Sequence, residues 1–465
     1  MKLPGGKPTV TIQAERNTTS VPDTLSYSSA PTQGTIFYAA PNTRRIDSVY
    51  GEMKLPVFGA ANNIPFFHEL ELQIAGRYER VSGSGGLRTI NCLVTTRPLT
   101  PADVANTICP NPPTVPAPLI GSGTRESFNP TFAARWSPIR DLTFRASYAG
   151  GYLPPYFSDL IPVDQVLVFS GVTDSQRGGE PIGTPVIPGL SQIIGNGSGN
   201  PNLKPERGKT YSAGVILTPR FMSGFRFSVD WTRISTQDDV FSPIGNFIFS
   251  NQASFDEFLS IFPDRVTRGP RAPGDPFTVG PITYVDLGFV NLSHTNIETL
   301  DFQGDYTSKL GQGTLDLALR ATYAYDLTVK LTDTTPGVNY AGVIGSNFLT
   351  GFSPTGGIKW KGNFEARYST DTWSFGGRAR YYDGYYTNMT HTPDAAGITR
   401  VSSQTYFDLF GSYKLNKSTE VRFSVQNVFN KLPPMDLSQN NPFGYSLAGG
   451  DALGGTYFLT VSKSF

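Results

Sequence analysis

Along this chain, apolar and polar residues alternate one for one over segments of about ten to fifteen residues, and the pattern keeps returning. In LTFRASY, Leu142, Phe144, Ala146 and Tyr148 fall on one side and Thr143, Arg145 and Ser147 on the other. TLDLALRATYAY sets Leu315, Leu317, Leu319, Ala321 and Tyr323 against Asp316, Ala318, Arg320 and Thr322. WSFGGRARYY sets Trp373, Phe375, Ala379 and Tyr381 against Ser374, Arg378 and Arg380, and GFRFSVDW and VRFSVQ read the same way. A period of two is the signature of a strand with one greasy and one wettable face.

About fourteen such segments are present, near 8–16, 45–57, 67–80, 127–137, 141–151, 208–218, 224–235, 293–308, 313–326, 354–368, 372–384, 403–415, 419–429 and 455–465. They exceed the ordinary strand of roughly 5–6 residues. Their links take turns in size. Short ones lie at 137–141, 218–224, 310–313, 369–372 and 415–419, and long ones near 17–44, 81–126, 152–207, 236–292, 327–353, 385–402 and 430–454. A soluble sandwich or propeller does not sort its links so one-sidedly. An antiparallel up-and-down barrel crossing a membrane does, with tight turns on one side and long loops outside. In lipid every backbone group must bond internally, so only a helix or a closed sheet can span. No run of about 18 apolar residues offers a spanning helix. The fold expected is therefore all-β, a transmembrane antiparallel barrel wall, with Trp136, Tyr148, Trp231, Tyr323, Tyr368 and Tyr381 at the two water–lipid boundaries.

Charge excludes one class of partner. A formal net charge of +1 leaves no basic footprint for nucleic acid. Catalysis finds no foothold either: His68, His294 and His391 are the only histidines, and no Ser/His/Asp or metal-spaced cluster accompanies them. GSGG at 83–86 and GNGSGNPN at 195–202 are not followed by a helix, so neither reads as a phosphate cradle. No cofactor and no enzyme activity are expected. Cys92 and Cys109 bracket a Pro/Thr-rich stretch and read as a loop-closing disulfide, with two free thiols as the plain alternative. The start, MKLPGGKPTVTIQAER, has no apolar core or cleavage site of a secretory leader, so the protein is cytosolic or this start is not its natural one. One helix is expected in a loop, where SFDEFLSIFPDRV spaces Phe255, Phe258, Leu259 and Phe262 at helical intervals with acids in the first turn. It is expected to pack on neighbouring loops rather than bind a partner.

The stretch Asn200, Pro201, Asn202, Leu203, Lys204, Pro205, Glu206 leads into the strand at 208–218. Its prolines lack amide donors and fix φ, and its asparagines suit turns, so it reads as a stiff, unladdered entry. This NPNLKPE resembles the motif that precedes a mid-barrel strand in TonB-dependent outer-membrane receptors. VYGEMKLPV, NIETLDFQGDY, TYFDLFGSYKL and VRFSVQNVFNK are similar to segments of the same family. The final strand GTYFLTVSKSF places Tyr457, Leu459 and Val461 at alternate positions and ends on Phe465, which looks like the signal read by the barrel-assembly machinery.

The resemblance implies the C-terminal part of a 22-stranded receptor barrel with a plugged lumen. The family's plug and TonB-contacting box are not found in this sequence. It further implies outer-membrane lipid around the barrel, the TonB complex as partner of the full-length protein, and a small ligand captured by outer loops. That ligand could be a siderophore, vitamin, oligosaccharide or peptide. Arg145, Arg320, Glu365, Arg367, Arg378, Arg380 and Arg422 fall on the wettable side of their strands and are candidates for the lumen wall. Two other functions stay open at this point. One is a passive channel or non-transporting fragment of fourteen strands, and the other a secreted sugar-binding β protein.

Overall fold

The computed structural model describes residues 3–464 apart from 89–118, 244–251, 331–334, 345–356, 394–396, 437–443, 446–451 and short breaks at 23, 31–32, 40, 60–63, 163 and 242. Its fourteen long strands, in chain order, are Thr9–Val21 (β1), Asn42–Phe58 (β2), Glu69–Arg88 (β3), Leu119–Ile139 (β4), Leu142–Leu153 (β5), Glu206–Leu217 (β6) and Phe225–Phe241 (β7). Then follow Val290–Leu310 (β8), Gly313–Lys330 (β9), Trp360–Ser369 (β10), Trp373–Tyr382 (β11), Gln404–Asn416 (β12), Thr419–Gln426 (β13) and Thr456–Lys463 (β14). Each pairs antiparallel with the next, β1 with β2 through to β13 with β14. The hairpin Thr24–Ala30/Gln33–Ala39 and the short Val338–Asn339 complete a seventeen-stranded sheet. Among the described residues no pairing joins β1 to β14.

The alternating pattern has its expected consequence. Leu315 stands level with Tyr368, Phe375, Gly411, Phe423 and Leu459 across six strands. On this face Leu319, Phe364, Phe375, Phe423 and Leu459 are 39 %, 47 %, 48 %, 41 % and 74 % exposed, so the greasy side is an outer surface and not a dry core. Water would not tolerate so continuous an apolar band; hydrocarbon would. Aromatic rings close it at both edges. Near the short links Trp136 lies 5.4 Å from Phe144 and Tyr368 5.4 Å from Trp373. Toward the long links Trp360 stacks on Tyr323 at 4.5 Å and on Phe302 at 5.9 Å. From Leu315 to Tyr323 on β9 the band rises roughly 20 Å for a strand tilted by about 40°, close to an outer-membrane hydrocarbon layer.

Several strands run further than their hydrophobic pattern. Most of 17–44 is strand and hairpin rather than irregular loop, and β3, β4 and β7 extend to Arg88, from Leu119 and to Phe241. Above the aromatic edge the outer face no longer meets hydrocarbon, and loops cover parts of the wall, where Val81 and Phe241 are buried. The period-two signal then vanishes while the backbone ladder continues.

Two long links, β5 to β6 and β7 to β8, fold together. Strands Asp164–Ser170, Thr184–Ile187, Leu190–Asn196, Val266–Arg268 and Ile282–Asp286 form a five-stranded sheet. A helix at Gln252–Ile261 (α1) packs on it. Phe255, Phe258 and Leu259 join Leu167, Phe169, Ile193 and Val285 in a buried core, so the helix does pack on neighbouring loops. It starts earlier than the acids suggest, leaving Asp256 and Glu257 outside its first turn. The reason is Gln252, whose side chain accepts from Thr173 N at 2.8 Å and donates to Thr173 O at 2.9 Å, anchoring the first turn to the sheet side.

Candidate functional site

The wettable face carries the charge. Arg145, Arg320, Glu365, Arg367, Arg378, Arg380 and Arg422 all stand on the face opposite the apolar band. Each is paired. Arg145 grips Asp230 at 2.6 and 2.5 Å, Arg320 reaches Asp305 at 2.5 Å, and Arg367 reaches Asp316 at 3.0 Å. Arg378 holds Glu365 at 2.6 Å, Arg422 holds Glu420 at 2.7 Å, and Arg380 holds Asp408 with two bonds of 2.8 Å. The Arg380 guanidinium also lies 5.4 Å from the Tyr406 ring centre. Mutual neutralisation of this kind keeps a charged wall wet without a large single-sign field.

The acidic partners Asp230, Asp305, Asp316 and Asp408 were not singled out from sequence. They occupy ordinary polar positions of the pattern, and only the register between strands shows which arginine each one meets. The Arg145–Asp230 pair bridges a whole strand. Gly214 of β6 lies between them, and any β-carbon there would collide with the Asp230 carboxylate. A cleft of about 370 Å³ opens on the same face between β8, β9, β10 and β11, bordered by Asp301, Gln303, Thr322, Lys361, Asn363 and Tyr382. Lys361 is exposed and in no ion pair among the described residues.

The long links fold back over this face. The 3₁₀ turn Phe157–Leu160 rests on it, and glycine makes the seat. Gly83 and Gly85 of β3 oppose Gly123 and Gly121 of β4. A β-carbon on Gly83 would come within 2.8 Å of the Phe157 ring, and one on Gly121 within 2.6 Å of its carbonyl oxygen.

NPNLKPE proves to be more than a stiff entry, because it ties three segments together at the rim. Asn200 N donates to Asp159 O at 2.8 Å, its Nδ2 donates to Phe289 O at 2.9 Å, and its Oδ1 accepts from Asn202 N at 2.9 Å. Leu203 is buried. Lys204 N donates to Asn291 Oδ1 at 2.9 Å, while Asn291 Nδ2 returns to Lys204 O at 2.9 Å. Glu206 Oε1 accepts from Val240 N at 2.8 Å. Pro201 and Pro205 hold the intervening chain extended.

Inside the folded links, Tyr284 donates to Asp164 Oδ1 at 2.7 Å, joining the last and the first of that sheet's strands in chain order. Burial first, and the Asp164 carboxylate second, push the Tyr284 phenol up to about 12. Burial likewise raises the Asp159 carboxyl and lowers the Arg265 guanidinium, which donates to Gly288 O at 2.7 Å. The histidines stay apart. His294 Nε2 lies 3.4 Å from Ser235 Oγ, and His391 stacks on Tyr386 at 3.7 Å. Among the described residues no three His, Cys, Asp or Glu converge as metal ligands. Cys92, Cys109 and Phe465 lie outside the described residues. Tyr457, Leu459 and Val461 point outward from β14, at 74 %, 74 % and 63 % exposure.

A family model described as TonB dependent receptor-like, beta-barrel matches residues 9–428. The chain belongs to this family. Its barrel wall is thus the wall of a TonB-dependent receptor-like β-barrel, and members of this kind reside in Gram-negative outer membranes. Solved structures similar to it include the siderophore receptor PirA from Acinetobacter baumannii, 12 % identical with a TM-score of 0.48. Another is a ferric enterobactin receptor mutant (PfeA) from Pseudomonas aeruginosa in complex with enterobactin, 14 % identical with a TM-score of 0.48. A third is a double mutant of the Serratia marcescens hemophore receptor HasR with its hemophore HasA and heme, 15 % identical with a TM-score of 0.47. The chain is covered over 99 %, 98 % and 98 % of its length, and those chains over 60 %, 63 % and 59 %. This chain therefore spans about 60 % of the length of the receptors it matches. No curated protein matches its sequence.

Proposed function

We propose that this chain forms the barrel wall and outer loops of a receptor that takes up a scarce small ligand across the outer membrane, driven through TonB. The observation that carries the reading is the family match over residues 9–428. Geometry supports it in three ways. The apolar band and its aromatic edges suit hydrocarbon, the paired charges of the opposite face suit an aqueous lumen, and the folded links over that face suit a ligand-capturing mouth. Arg145, Arg320, Glu365, Arg367, Arg378, Arg380 and Arg422 then line the lumen. Uptake involves no covalent chemistry; the wall contributes a wetted path and the loops contribute affinity. Lipid surrounds the band, TonB and a plug act with the full-length receptor, and the barrel-assembly machinery reads β14.

The test is uptake in cells carrying or lacking the full-length gene, each with and without TonB, challenged in turn with iron-loaded siderophores, haem, cobalamin, oligosaccharides and peptides. One ligand should enter only when both gene and TonB are present. Gene-dependent entry that survives loss of TonB would replace the proposal with a passive channel.

A further inference from the structure

The outer face of β6 and β7 changes sign abruptly above the aromatic edge. Along β6 that face reads Leu217, Val215, Ala213, Tyr211, Lys209, Arg207. Tyr211 is level with Tyr148 of β5, and the rings lie 5.2 Å apart, with Phe132 of β4 continuing the row at 6.2 Å from Tyr148. Trp231 stands one outward position lower on β7, opposite Ala213. This row marks the upper limit of the apolar band.

Immediately above it the wall becomes basic. Arg233 of β7 is opposite Tyr211, Lys209 follows two residues on, and Arg207 two beyond that. With about 3.3 Å per residue and a tilt near 40°, Lys209 sits ~5 Å and Arg207 ~10 Å above the tyrosines. Both are exposed, and neither belongs to an ion pair among the described residues. Arg233 is 3.6 Å from Glu298 of β8 and donates to Asn296 Oδ1 at 2.9 Å, while Asp238, just beyond Gln237 on β7, faces Lys204 at 3.7 Å. Lys209 is flanked by Gly150 and Ser235, which leave a shallow shelf between the Tyr148–Tyr211 row below and the Tyr152–Arg207 pair above.

We propose that this shelf binds the phosphate of an outer-leaflet lipid headgroup, with Lys209 and Arg207 as the principal contacts and Arg233 at the lower corner. The proposal rests on the apolar band facing hydrocarbon. Height is what selects a lipid over free phosphate. Headgroup phosphates lie in a thin layer just beyond the acyl chains, and these three cations occupy that layer beside rings that anchor at the same boundary. The aromatic row gives the acyl and sugar portions a surface to lie on, which an inorganic ion would not use.

The full chain, extracted in a phosphate-free nonionic detergent, is titrated by native mass spectrometry with bisphosphorylated lipid A, with its dephosphorylated form, and with inorganic phosphate. Lipid A should bind the parent and lose roughly 30-fold in affinity in the double variant Arg207→Gln/Lys209→Gln. Arg80→Gln on β3, whose cation already faces Glu126 at 3.6 Å, should leave binding unchanged. Dephosphorylated lipid should bind parent and double variant equally weakly. Equal lipid A binding by parent and double variant, an equal loss in Arg80→Gln, or displacement of lipid A by millimolar inorganic phosphate would each overturn the proposal. Lys209→Gln alone keeps the test open if the double variant does not fold. A chain that stays soluble without detergent would instead refute the membrane reading itself, a result independent of lipid affinity.

Discussion

Gly214 shows how much one residue can decide on a barrel wall. Arg145 and Asp230 belong to strands that are not neighbours, and they meet only because the strand between them presents no side chain at that level. Gly214→Val should displace the carboxylate and unfold the chain at a denaturant midpoint equivalent to about 1–3 kcal/mol less stability, measured by heat-modifiable gel mobility after urea titration. Gly214→Ala should cost less than Gly214→Val but more than nothing, since even a methyl group meets the carboxylate. The opposite face obeys another rule. Leu319, mid-band and 39 % exposed, should tolerate Leu319→Phe, while Leu319→Arg should cost about 2–4 kcal/mol in a lipid-refolding equilibrium. Its neighbour Ala318, on the wettable face, should accept Ser with little change. An equal cost at both positions would show that the two faces do not meet different solvents. The period of two made the orientation of every one of these residues legible. Their partners were not, because pairing depends on register, and register is a property of two strands at once.

The elements that fold above the band divide differently. Asn200 bonds to Asp159 and Phe289 in two other segments and to Asn202 in its own, so Asn200→Ala, which removes both side-chain bonds, should loosen the folded links at the rim. Limited proteolysis is expected to cut within 152–207 severalfold faster, with membrane extraction and heat-modifiability unchanged, since no ladder bond of the long strands is lost. Loss of barrel assembly instead would mean that the motif guides strand pairing. Tyr284 gives the same region a pH limit. Its folded pKa is raised to about 12 from an ordinary value near 10, so the neutral phenol is favoured by folding. The corresponding stability is present in full below pH 10 and drains away as pH climbs toward 12. Near-ultraviolet circular dichroism of the folded links should therefore fade in that window, and Tyr284→Phe should move the loss to higher pH. The helix Gln252–Ile261 was legible from its phenylalanine spacing, but its first turn was not, because a contact from Gln252 to Thr173, remote in sequence, set where it begins. The extensions of β3, β4 and β7 were hidden for another reason: above the band no hydrocarbon imposes an apolar outer face, so there is no alternation to read.

At the scale of the whole molecule, fourteen strands in sequence order build one antiparallel wall, and β14 carries its outward row Tyr457, Leu459 and Val461 to the end. If that row and Phe465 form the assembly signal, deleting Phe465 together with Tyr457→Ser should lower the heat-modifiable outer-membrane fraction severalfold while total expression holds. Undiminished assembly would separate the terminal strand from that role. Fold class, strand number, the two solvents of each strand and the family resemblance were all present in the linear sequence, because alternation is a local property and a membrane imposes it uniformly. Tertiary structure alone decided which acid neutralises which arginine, that four glycines seat the Phe157–Leu160 turn, that NPNLKPE is a tie between three segments, and that Lys209 and Arg207 share a shelf with Arg233. Those facts arise between strands and between loops, from register and from long-range closure, and no stretch of chain read by itself carries them.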